Sequence, residues 1–600
     1  MNQLTNQEIA KILREVAAVL EIKKDSPFKI AAFKRAAENI EKLSAVQLKN
    51  TWQKKQLQKI PGIGESLAQS LSELLKTGQV KKFNNLKKQV PQAVFTLMTI
   101  PGIGPKRAYQ LAKGLKINKT DRPIKKLLLA GKKGKISQLP GFGKKSQQEI
   151  LDNIKRKKRS EGESSRMLLY EADQLTQKLI SYLKKSPVVL RAKPLGSLRR
   201  RVATIGDIDL AVKTKKPQEV INHFTNFPET KQVLSKGQKS SARILLTNKQ
   251  QVDLRVFSPR NTGSMLQHFT GSKDHNIALR EFALKKNLSV SEHGIKNLNT
   301  NKTTSFKKEK DFYNFLKLDW IPPELRENQG EITAAQKKQL PKLIKLNDIK
   351  GDLHIHSNFP IEPSHDSGQA SIKKILSWAS NKNYQYFALT EHNPSQSGHT
   401  NKEVITLLKK KQESIEQINY SLKNPRNKRS KNLPFIFNSL EIDIRPDGSL
   451  ALPEKAFEYL DFGIAGVHSK FNLEKKAMTK RIIKGLDHPK IKIWAHPANR
   501  MIGKRPSSEI DWEKVFAFCK KKNKIIEINA SPRRLDLPDF LIQKAIKQKI
   551  KLIINTDSHN LSQLNLMAYG VSCARRGWAQ KADIINTLSL DKIKKILLSF

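Results

Sequence analysis

The sequence predicts a multidomain protein with an α-helical N-terminal region, a central α+β region and a C-terminal distorted β/α barrel. A PGxG pattern occurs three times within residues 60–143, in segments with helical periodicity. A DIDL segment at 207–210 and a VDLR segment at 252–255 alternate apolar and polar residues, as half-buried strands do. Beyond residue 350, short apolar runs end in histidine or acidic residues and are separated by helical segments, which is typical of a parallel barrel.

Length and charge limit the possible classes of protein. The chain has 600 residues, of which 38% are hydrophobic, enough for several separate cores. It carries 112 Lys and Arg against 54 Asp and Glu, a formal net charge of +58. Such an excess favours a polyanionic partner, with nucleic acid as the first candidate, and the alternative is a generally lysine-rich proteome.

The cysteines and the apolar segments indicate a cytoplasmic protein. Cys519 and Cys573 are the only cysteines, too few for a disulfide framework, which suits a reducing compartment. The first 20 residues contain Glu and Lys within their apolar stretch and predict an amphipathic helix, not a signal peptide. No run of eighteen apolar residues occurs, so the sequence predicts no membrane span.

The N-terminal repeat consists of IPGIG at 60–64, IPGIG at 100–104 and LPGFG at 139–143, each flanked by helical patterns. Proline ends the first helix, the glycines permit a tight turn, and the next helix begins with free N–H groups that suit a phosphate. The repeat is similar to the helix-hairpin-helix motif, which grips the DNA backbone without reading its sequence. A single PGIG is more often an ordinary turn between helices, but three at this spacing in so basic a chain favour non-specific DNA binding. The candidate DNA-binding residues are Gly62, Gly64, Gly102, Gly104, Gly141 and Gly143.

Three carboxylates in the central region predict a metal site. Asp207 and Asp209 lie two residues apart and share one face of a strand. Asp253 alternates with Val252 and Leu254 on a second predicted strand, so it could join the first pair. Oxygen ligands held this close need a cation and suit Mg²⁺ or Mn²⁺, although a lone DxD is often only a solvated strand end. With a GS turn at 196–197 and arginines suited to phosphate at 199–201, the pattern favours nucleotidyl transfer.

The central region resembles the palm of the family X DNA polymerases, the DNA polymerase beta group. The matching segments are GSLRR at 196–200, DIDL, VDLR and HFTGSKDHN at 268–276, and the chain departs from the family at His268, where a tyrosine is usual. The resemblance implies that the three aspartates bind metal and that five residues bind the incoming nucleotide. These are Ser197 and Arg200 at its phosphates, and Phe269, Gly271 and Asn276 at its sugar and base.

Composition and the resemblance together predict six segments. Two helical segments carry the first hairpin, 1–80, and the second and third, 81–165; the segment KRKKRSEGESSR at 155–166 is predicted to be a mobile linker. The palm is expected at 166–258 and the thumb at 259–332. A helical, basic connector is expected at 333–350, before the barrel at 351–600.

The barrel region holds a second predicted metal site. Six apolar runs end in side chains that bind metals, and such residues meet at the C-terminal mouth of a barrel. The candidate ligands are His354, His356, His392, Glu441, His468, His496, Asp557 and His559. Mixed imidazole and carboxylate ligands suit Zn²⁺, Mn²⁺ or Fe²⁺ and predict hydrolysis of a phosphate ester.

This region resembles the PHP (polymerase and histidinol phosphatase) domain over its whole length, with two departures. After His356 an apparent insertion, NFPIEPSHDSG, makes Asp366 the chosen ligand and His365 its rival. Glu391 replaces the aspartate that usually precedes His392. His399 and His488 match no ligand position and are interpreted as ordinary surface or loop residues.

The whole chain is therefore identified as a bacterial family X DNA polymerase with a C-terminal PHP domain. The resemblance implies two-metal gap filling from dNTPs in DNA repair, such as base excision repair, by a monomer. For the barrel it implies a 3′–5′ exonuclease and possibly an abasic-site endonuclease. Three alternatives stay open: a template-independent nucleotidyltransferase acting on RNA, a phosphatase of a small metabolite, and a polymerase whose barrel is inactive and structural.

Overall fold

The computed structural model describes residues 4, 6–42, 48, 51–53, 55–60, 62–100, 102–117, 123–143, 146–151, 153–154, 166–237, 240–422 and 433–598. The chain forms two compact units, Met1–Ser164 and Ser165–Phe600. The predicted linker at 155–166 lies outside the described residues except for Arg166. None of the helices in these ranges is long and apolar enough to cross a membrane.

The first unit consists of helices that enclose two hydrophobic cores. One core is formed by residues before Leu86 and the other mainly by residues 93–154. Apolar residues spaced along one face of the first helix, such as Ile9, Leu13 and Leu20, are fully buried. The helices are α1 (Asn6–Ile22), α2 (Pro27–Lys42), α3 (Glu65–Thr77), α4 (Lys81–Lys87), α5 (Ala93–Leu97), α6 (Pro105–Gly114) and α7 (Pro123–Lys132), and residues 146–151 are also helical.

The three PGxG segments adopt similar turns. Gly62, Gly102 and Gly141 have φ values of +88°, +80° and +79°, which side chains rarely tolerate. Gly64 and Gly104 then precede the first residues of α3 and α6. The sequence repeat is thus a structural repeat of helix, tight turn and helix.

The second unit begins with a five-stranded sheet in the order β2-β4-β7-β6-β5. Strands β4 and β7 are parallel neighbours, and helices α8 and α10 add apolar side chains to the core beneath them. The elements are β1 (Met167–Leu168), α8 (Leu169–Leu183), β2 (Arg191–Pro194), α9 (Gly196–Arg199), β3 (Thr204–Ile205), β4 (Ile208–Lys213), α10 (Pro217–Thr225), β5 (Thr230–Lys236), β6 (Ser241–Leu246) and β7 (Gln251–Phe257).

A helical section with a small antiparallel sheet, β10-β9-β8, follows the five-stranded sheet. Its elements are α11 (Thr262–Thr270), α12 (Lys273–Leu284), β8 (Leu288–Ser291), β9 (Gly294–Asn297), β10 (Thr303–Thr304), α13 (Glu309–Phe315) and α14 (Glu331–Gln336). The prediction of a helical connector at 333–350 is wrong beyond Gln336. There the chain extends along the barrel, where Ile344 N donates to Ala579 O at 3.0 Å.

The C-terminal region is a parallel seven-stranded sheet, β11 to β17, in sequential order. Its ends approach each other, since His356 N donates to Ser558 O at 2.9 Å and Ile355 bridges Ser558. The strands are β11 (Gly351–Ile355), β12 (Tyr386–Leu389), β13 (Phe435–Asp443), β14 (Phe462–Gly466), β15 (Ile491–Trp494), β16 (Ile525–Asn529) and β17 (Leu552–Asn555). The helices are α15 (Ile372–Asn381), α16 (Asn401–Leu422), α17 (Lys475–Leu486), α18 (Trp512–Lys521), α19 (Asp539–Lys547), α20 (Met567–Arg576) and α21 (Leu590–Leu597).

These parts confirm the predicted multidomain fold class. All six apolar runs that were predicted to end in ligands contain barrel strands. The remaining barrel strand, β16, was not among the predicted runs because its last residue is Asn529, which is neither a histidine nor an acid.

Candidate active sites

The three aspartates of the central region meet at one edge of the five-stranded sheet. Asp209 and Asp253 are register partners on parallel neighbouring strands, so their side chains project from the same face. Asp207 lies just before β4, and ligand oxygens of all three are within 4.8 Å of one another. Such a set of oxygens fits Mg²⁺ or Mn²⁺.

The electrostatics of this group call for a cation. Burial, together with the charges of Asp207 and Asp253, raises the pKa of Asp209 to about 7. Arg243, the register partner of Asp253 on β6, forms an ion pair with it. Gly196 makes room for the group, since a Cβ there would lie 2.2 Å from Asp209 Oδ2.

Two predicted phosphate-binding residues lie beside this edge. Ser197 is on α9, the short helix that begins at Gly196 beside Asp209. Arg200 follows α9 and donates from Nη1 to Thr270 O at 2.5 Å and from Nε to Glu327 Oε1 at 3.0 Å. Gly271, also predicted to contact the nucleotide, lies against this guanidinium, since a Cβ there would be 3.1 Å from Arg200 Nη1.

Phe269 and Asn276, the remaining nucleotide candidates, are held by neighbours. The guanidinium of Arg255 lies 5.0 Å from the centre of the Phe269 ring. Asn276 Nδ2 donates to His268 O at 2.7 Å, which fixes the backbone of the residue that departs from the family. Burial lowers the pKa of His268, so its imidazole is neutral at neutral pH.

The other arginines of the predicted phosphate-binding run have protein partners. Arg199 makes a bidentate pair with Glu309, at 3.0 and 2.7 Å, and Arg201 contacts both oxygens of Asp173, at 2.7 and 2.6 Å. Neither partner could be identified from sequence, because Glu309 lies 110 residues from Arg199 and Asp173 lies 28 residues from Arg201. All three arginines of the run therefore have partners within the unit, and Arg200 is the one whose charge acts on Asp209.

The predicted barrel ligands converge at the C-terminal ends of the strands. They form overlapping groups whose ligand atoms lie within 4.8 Å of one another. These groups are His354, His356, Glu441 and Asp557; Glu441, His468 and His496; His356, His392 and His559; and His365, His392 and His468.

The atoms that face the centre of these groups fit metal ions. His354 Nε2, His356 Nε2, Glu441 Oε2 and His559 Nε2 are buried without a hydrogen-bond partner among the described residues. Burial opposes a charge on Glu441, but the surrounding imidazoles, His354 first, hold its pKa well below the usual range. Buried nitrogen and carboxylate ligand atoms that lie this close together without a hydrogen bond suit Zn²⁺, Mn²⁺ or Fe²⁺.

Two carboxylates that the sequence prediction missed orient the imidazoles. Glu527, in the middle of β16, accepts from His354 Nδ1 at 2.7 Å and from His496 N at 2.7 Å. Asp443, the last residue of β13, lies 2.7 Å from His468 Nδ1. Partners of this kind fix which nitrogen faces a metal. The sequence feature that could have revealed Glu527 is an acidic residue inside the apolar segment IIEIN at 525–529.

Both candidates in the inserted segment lie at this site. Asp366 is exposed, with Oδ1 3.5 Å from His392 Nε2 and Oδ2 3.4 Å from His559 Nε2. His365 belongs to a different group, with His392 and His468. Asp366 thus lies between two imidazoles, as a carboxylate ligand would.

Glu391 points away from the ligand groups. It is buried and forms an ion pair with Lys411 Nζ at 2.5 Å, and Ser357 N donates to its Oε1 at 3.1 Å. Lys411, on α16, also donates to Leu389 O at 3.1 Å and Ser439 O at 2.5 Å, so this pair joins the end of β12 to the middle of β13. A lysine at a helical position that should be apolar was the available sequence signal.

We expect Lys411→Met to destabilise the barrel by about 3–5 kcal/mol, because it leaves Glu391 buried and unpaired. Lys411→Met combined with Glu391→Gln should regain most of that loss and retain the metal content of the wild type. Chemical denaturation and metal analysis of the three proteins check this. Loss of metal in a stable double variant would show that Glu391 is needed to hold the ions.

One arginine at the barrel mouth was also missed. Arg534 Nε lies 3.7 Å from Asp557 Oδ2, and its guanidinium has no hydrogen bond among the described residues. Arg500 Nε donates to Arg534 O at 2.7 Å, and residues 500–507, including Lys504 and Arg505, line a cavity of about 450 Å³. A guanidinium that is close to metal ligands but otherwise unbonded is suited to a phosphate.

The two histidines that were predicted to be ordinary lie outside these groups. His399 Nε2 is 3.3 Å from Glu362, and His488 stacks on Phe457 with ring centres 3.9 Å apart.

Three segments match models of known families. Residues 4–80 match a helix-hairpin-helix domain, and residues 94–156 match a SAM-like helix-hairpin-helix tandem. Residues 265–327 match the DNA polymerase beta thumb.

Two relatives of known description match this chain over different lengths. A Bacillus subtilis (strain 168) protein named DNA polymerase/3′-5′ exonuclease PolX is 31% identical over 596 residues, 98% of this chain and 99% of the relative. A protein from Caldicellulosiruptor saccharolyticus, named a probable phosphatase, is 29% identical over 168 residues, 27% of this chain and 61% of its own length. The first likeness therefore extends across both compact units.

Proposed function

The chain belongs to the family X DNA polymerases, and we propose that it fills short gaps in DNA and removes nucleotides from 3′ ends at a separate site. The observation that carries this proposal is the presence of two independent sets of metal ligands in one unit. One set is the three aspartates beside α9, and the other is the groups at the barrel mouth. The helix-hairpin-helix segments supply binding to the DNA backbone.

The polymerase reaction takes place at the edge of the five-stranded sheet. Asp207, Asp209 and Asp253 would hold Mg²⁺ or Mn²⁺, which would offset charge on the triphosphate and favour attack by the primer 3′-OH. Ser197 and Arg200 bind the phosphates of the dNTP. Phe269, Gly271 and Asn276 lie along the side on which its sugar and base are placed.

The exonuclease reaction takes place at the barrel mouth. The nine ligands are His354, His356, Asp366, His392, Glu441, His468, His496, Asp557 and His559. Zn²⁺, Mn²⁺ or Fe²⁺ held there would activate water for hydrolysis of the phosphodiester. Glu527 and Asp443 keep the imidazoles oriented, and the assembled groups favour an active barrel over a structural one.

The domain boundaries proposed for these roles are 1–80 and 81–165 for DNA binding, 166–258 for the palm, 259–332 for the thumb and 351–600 for the barrel. A connector at 333–350 joins the thumb to the barrel.

The decisive test uses labelled DNA with a one-nucleotide gap and Mn²⁺, with and without dNTPs. Wild-type protein should extend the primer with dNTPs and shorten it without them. His354→Ala combined with His356→Ala should abolish shortening and leave extension unchanged. Extension without any shortening by the wild type would make the barrel a structural domain, and no extension would refute the polymerase assignment.

Arg534→Ala should slow the exonuclease about 10²–10³-fold, because the guanidinium would bind the scissile phosphate in the transition state. Arg533, the exposed neighbour, offers the matched control, and Arg533→Ala should change the rate by less than about twofold. Steady-state rates on a single-stranded 3′ end and metal analysis check this. Equal rates for the two variants would remove Arg534 from the site.

A further inference from the structure

The barrel touches the arginine that is proposed to bind the nucleotide's phosphates. Arg576 is the last residue of α20, a helix of the barrel. Its Nη1 donates to Arg200 O at 2.8 Å and to Glu327 Oε1 at 2.9 Å. The palm residue Arg200 donates from Nε to the same Glu327 oxygen at 3.0 Å. One thumb carboxylate is therefore shared by two arginines from two other domains.

The barrel fixes Arg576 from the opposite side. Asp539, the first residue of α19, accepts from Arg576 Nε at 2.8 Å and pairs with Nη2 at 2.7 Å. Asp539, Arg576, Glu327 and Arg200 thus form a continuous line of alternating charges. All four side chains are partly buried, with Arg576 only 9% exposed. Charges shielded from water in this way hold one another more firmly than surface pairs do.

The last group in this line, the Arg200 guanidinium, still has N–H groups that can bind a ligand. Arg200 Nη1 donates to Thr270 O at 2.5 Å, so the group is held by Glu327 on one edge and by the backbone before Gly271 on another. Its Nη2 has no hydrogen-bond partner among the described residues. A long side chain fixed at two points loses little further entropy when it binds a phosphate.

We infer that Arg576 is a positioning residue for the polymerase, and that the nuclease barrel thereby forms part of the dNTP-binding site. This rests on the proposed function, since it requires Arg200 to bind the nucleotide. Arg576 acts in two ways. It bonds the backbone of residue 200 directly, and it holds Glu327 at the distance from which Glu327 orients the Arg200 side chain. Without Arg576, Glu327 would be free to fold fully onto Arg200 and neutralise it.

The adjacent residue provides a matched control. Arg575 is on the same helix and also joins the barrel to the thumb, since its Nε donates to Glu324 Oε1 at 2.8 Å. Its Nη1 donates to Ile344 O at 2.8 Å, and it makes no contact with residue 200. Arg575→Ala therefore removes an interdomain ion pair of the same kind without touching the nucleotide site.

The experiment measures single-nucleotide gap filling by full-length Arg576→Ala, Arg576→Lys and Arg575→Ala over a range of dNTP concentrations. We expect Arg576→Ala to raise the KM for dNTP about tenfold or more, with a smaller effect on kcat, since misplacing a binding group costs affinity first. Arg576→Lys should recover part of this loss, because lysine keeps one donor for Glu327. Arg575→Ala should keep the wild-type KM.

The 3′–5′ exonuclease rate of each preparation shows whether its barrel is folded. Glu327→Gln, which leaves the barrel intact, should raise the KM for dNTP as Arg576→Ala does. If Arg576→Ala and Arg575→Ala raise the KM for dNTP equally, Arg576 is only part of the interface and the inference is wrong. The inference is also wrong if Glu327→Gln leaves this KM unchanged. A wild-type protein that fills no gaps would instead refute the proposed function itself.

Discussion

Asp207→Asn combined with Asp209→Asn abolishes gap filling and leaves the 3′–5′ exonuclease of the same protein near its wild-type rate. We expect kcat for extension to fall by about 10³-fold or more, a barrier increase of roughly 4 kcal/mol. The reason is that the two carboxylates hold the cations that offset charge on the transferring phosphoryl group. The measurement uses one preparation for two assays. Extension of a gapped primer checks the loss of polymerase activity, and degradation of a single-stranded 3′ end checks that the exonuclease is retained.

The same substitution should not weaken the fold. The pKa of Asp209 is raised from 3.8 to about 7 by burial and by its neighbouring carboxylates, so the native state binds more protons than the unfolded state between these values. The free energy of unfolding therefore falls as pH rises from about 4 to about 7, and that loss is complete above pH 7. Asparagine carries no such charge. Without divalent ions at pH 8, the variant should melt at or above the wild-type temperature.

Adding magnesium should reverse this difference in melting temperature between the wild type and the double variant. It should raise the melting temperature of the wild-type palm, because ions bound to the native state stabilise it, and it should leave the double variant unchanged. His354→Ala with His356→Ala is the reciprocal control, which loses shortening but keeps extension. Extension by the asparagine variant at more than about a tenth of the wild-type rate would remove Asp207 and Asp209 from the reaction.

The parts of the sites that follow from local pattern were predictable from sequence. Strand alternation places Asp207 and Asp209 on one face, and parallel pairing of β4 with β7 then brings Asp253 beside them. The barrel ligands follow strand ends in the same way, because the carboxyl ends of parallel strands meet at one mouth.

The partners of charged side chains were not predictable in this way. Arg199 and Arg201 look alike in sequence, yet Glu309 and Asp173 bind them in the fold. Pattern alone cannot identify the carboxylate that each arginine binds, because Glu309 lies 110 residues from Arg199 and Glu327 lies 127 residues from Arg200.

The barrel shows the same limit at Glu391. A family comparison marks it as an altered ligand position, while the structure pairs it with Lys411. The extra methylene carries the carboxylate to a lysine on α16, a helix that begins ten residues later at Asn401. The departure therefore does not count against the exonuclease, and His392 keeps its place among the ligands.

Among single substitutions, Glu441→Gln should have the largest effect on the exonuclease, a loss of about 10³-fold or more. Glu441 lies between two ligand groups. Its Oε2 is 3.2 Å from His354 Nε2 and 3.4 Å from His356 Nε2, while its Oε1 is 2.8 Å from His496 Nε2. An amide replaces one oxygen with a group that cannot bind a cation, so the two groups can no longer share this ligand. Metal analysis should show at least one ion fewer per chain.

The matched control is Glu454→Gln, the same chemical change at an exposed residue that pairs with His488 outside the ligand groups. It should keep both the metal content and the exonuclease rate. Gap filling provides the second comparison, because the contacts of Arg576 make the polymerase site sensitive to an unfolded barrel. Normal gap filling by Glu441→Gln would therefore place its defect at the metal ligands. A Glu441→Gln protein that keeps its ions and still degrades 3′ ends would mean that the histidines alone hold the catalytic metals.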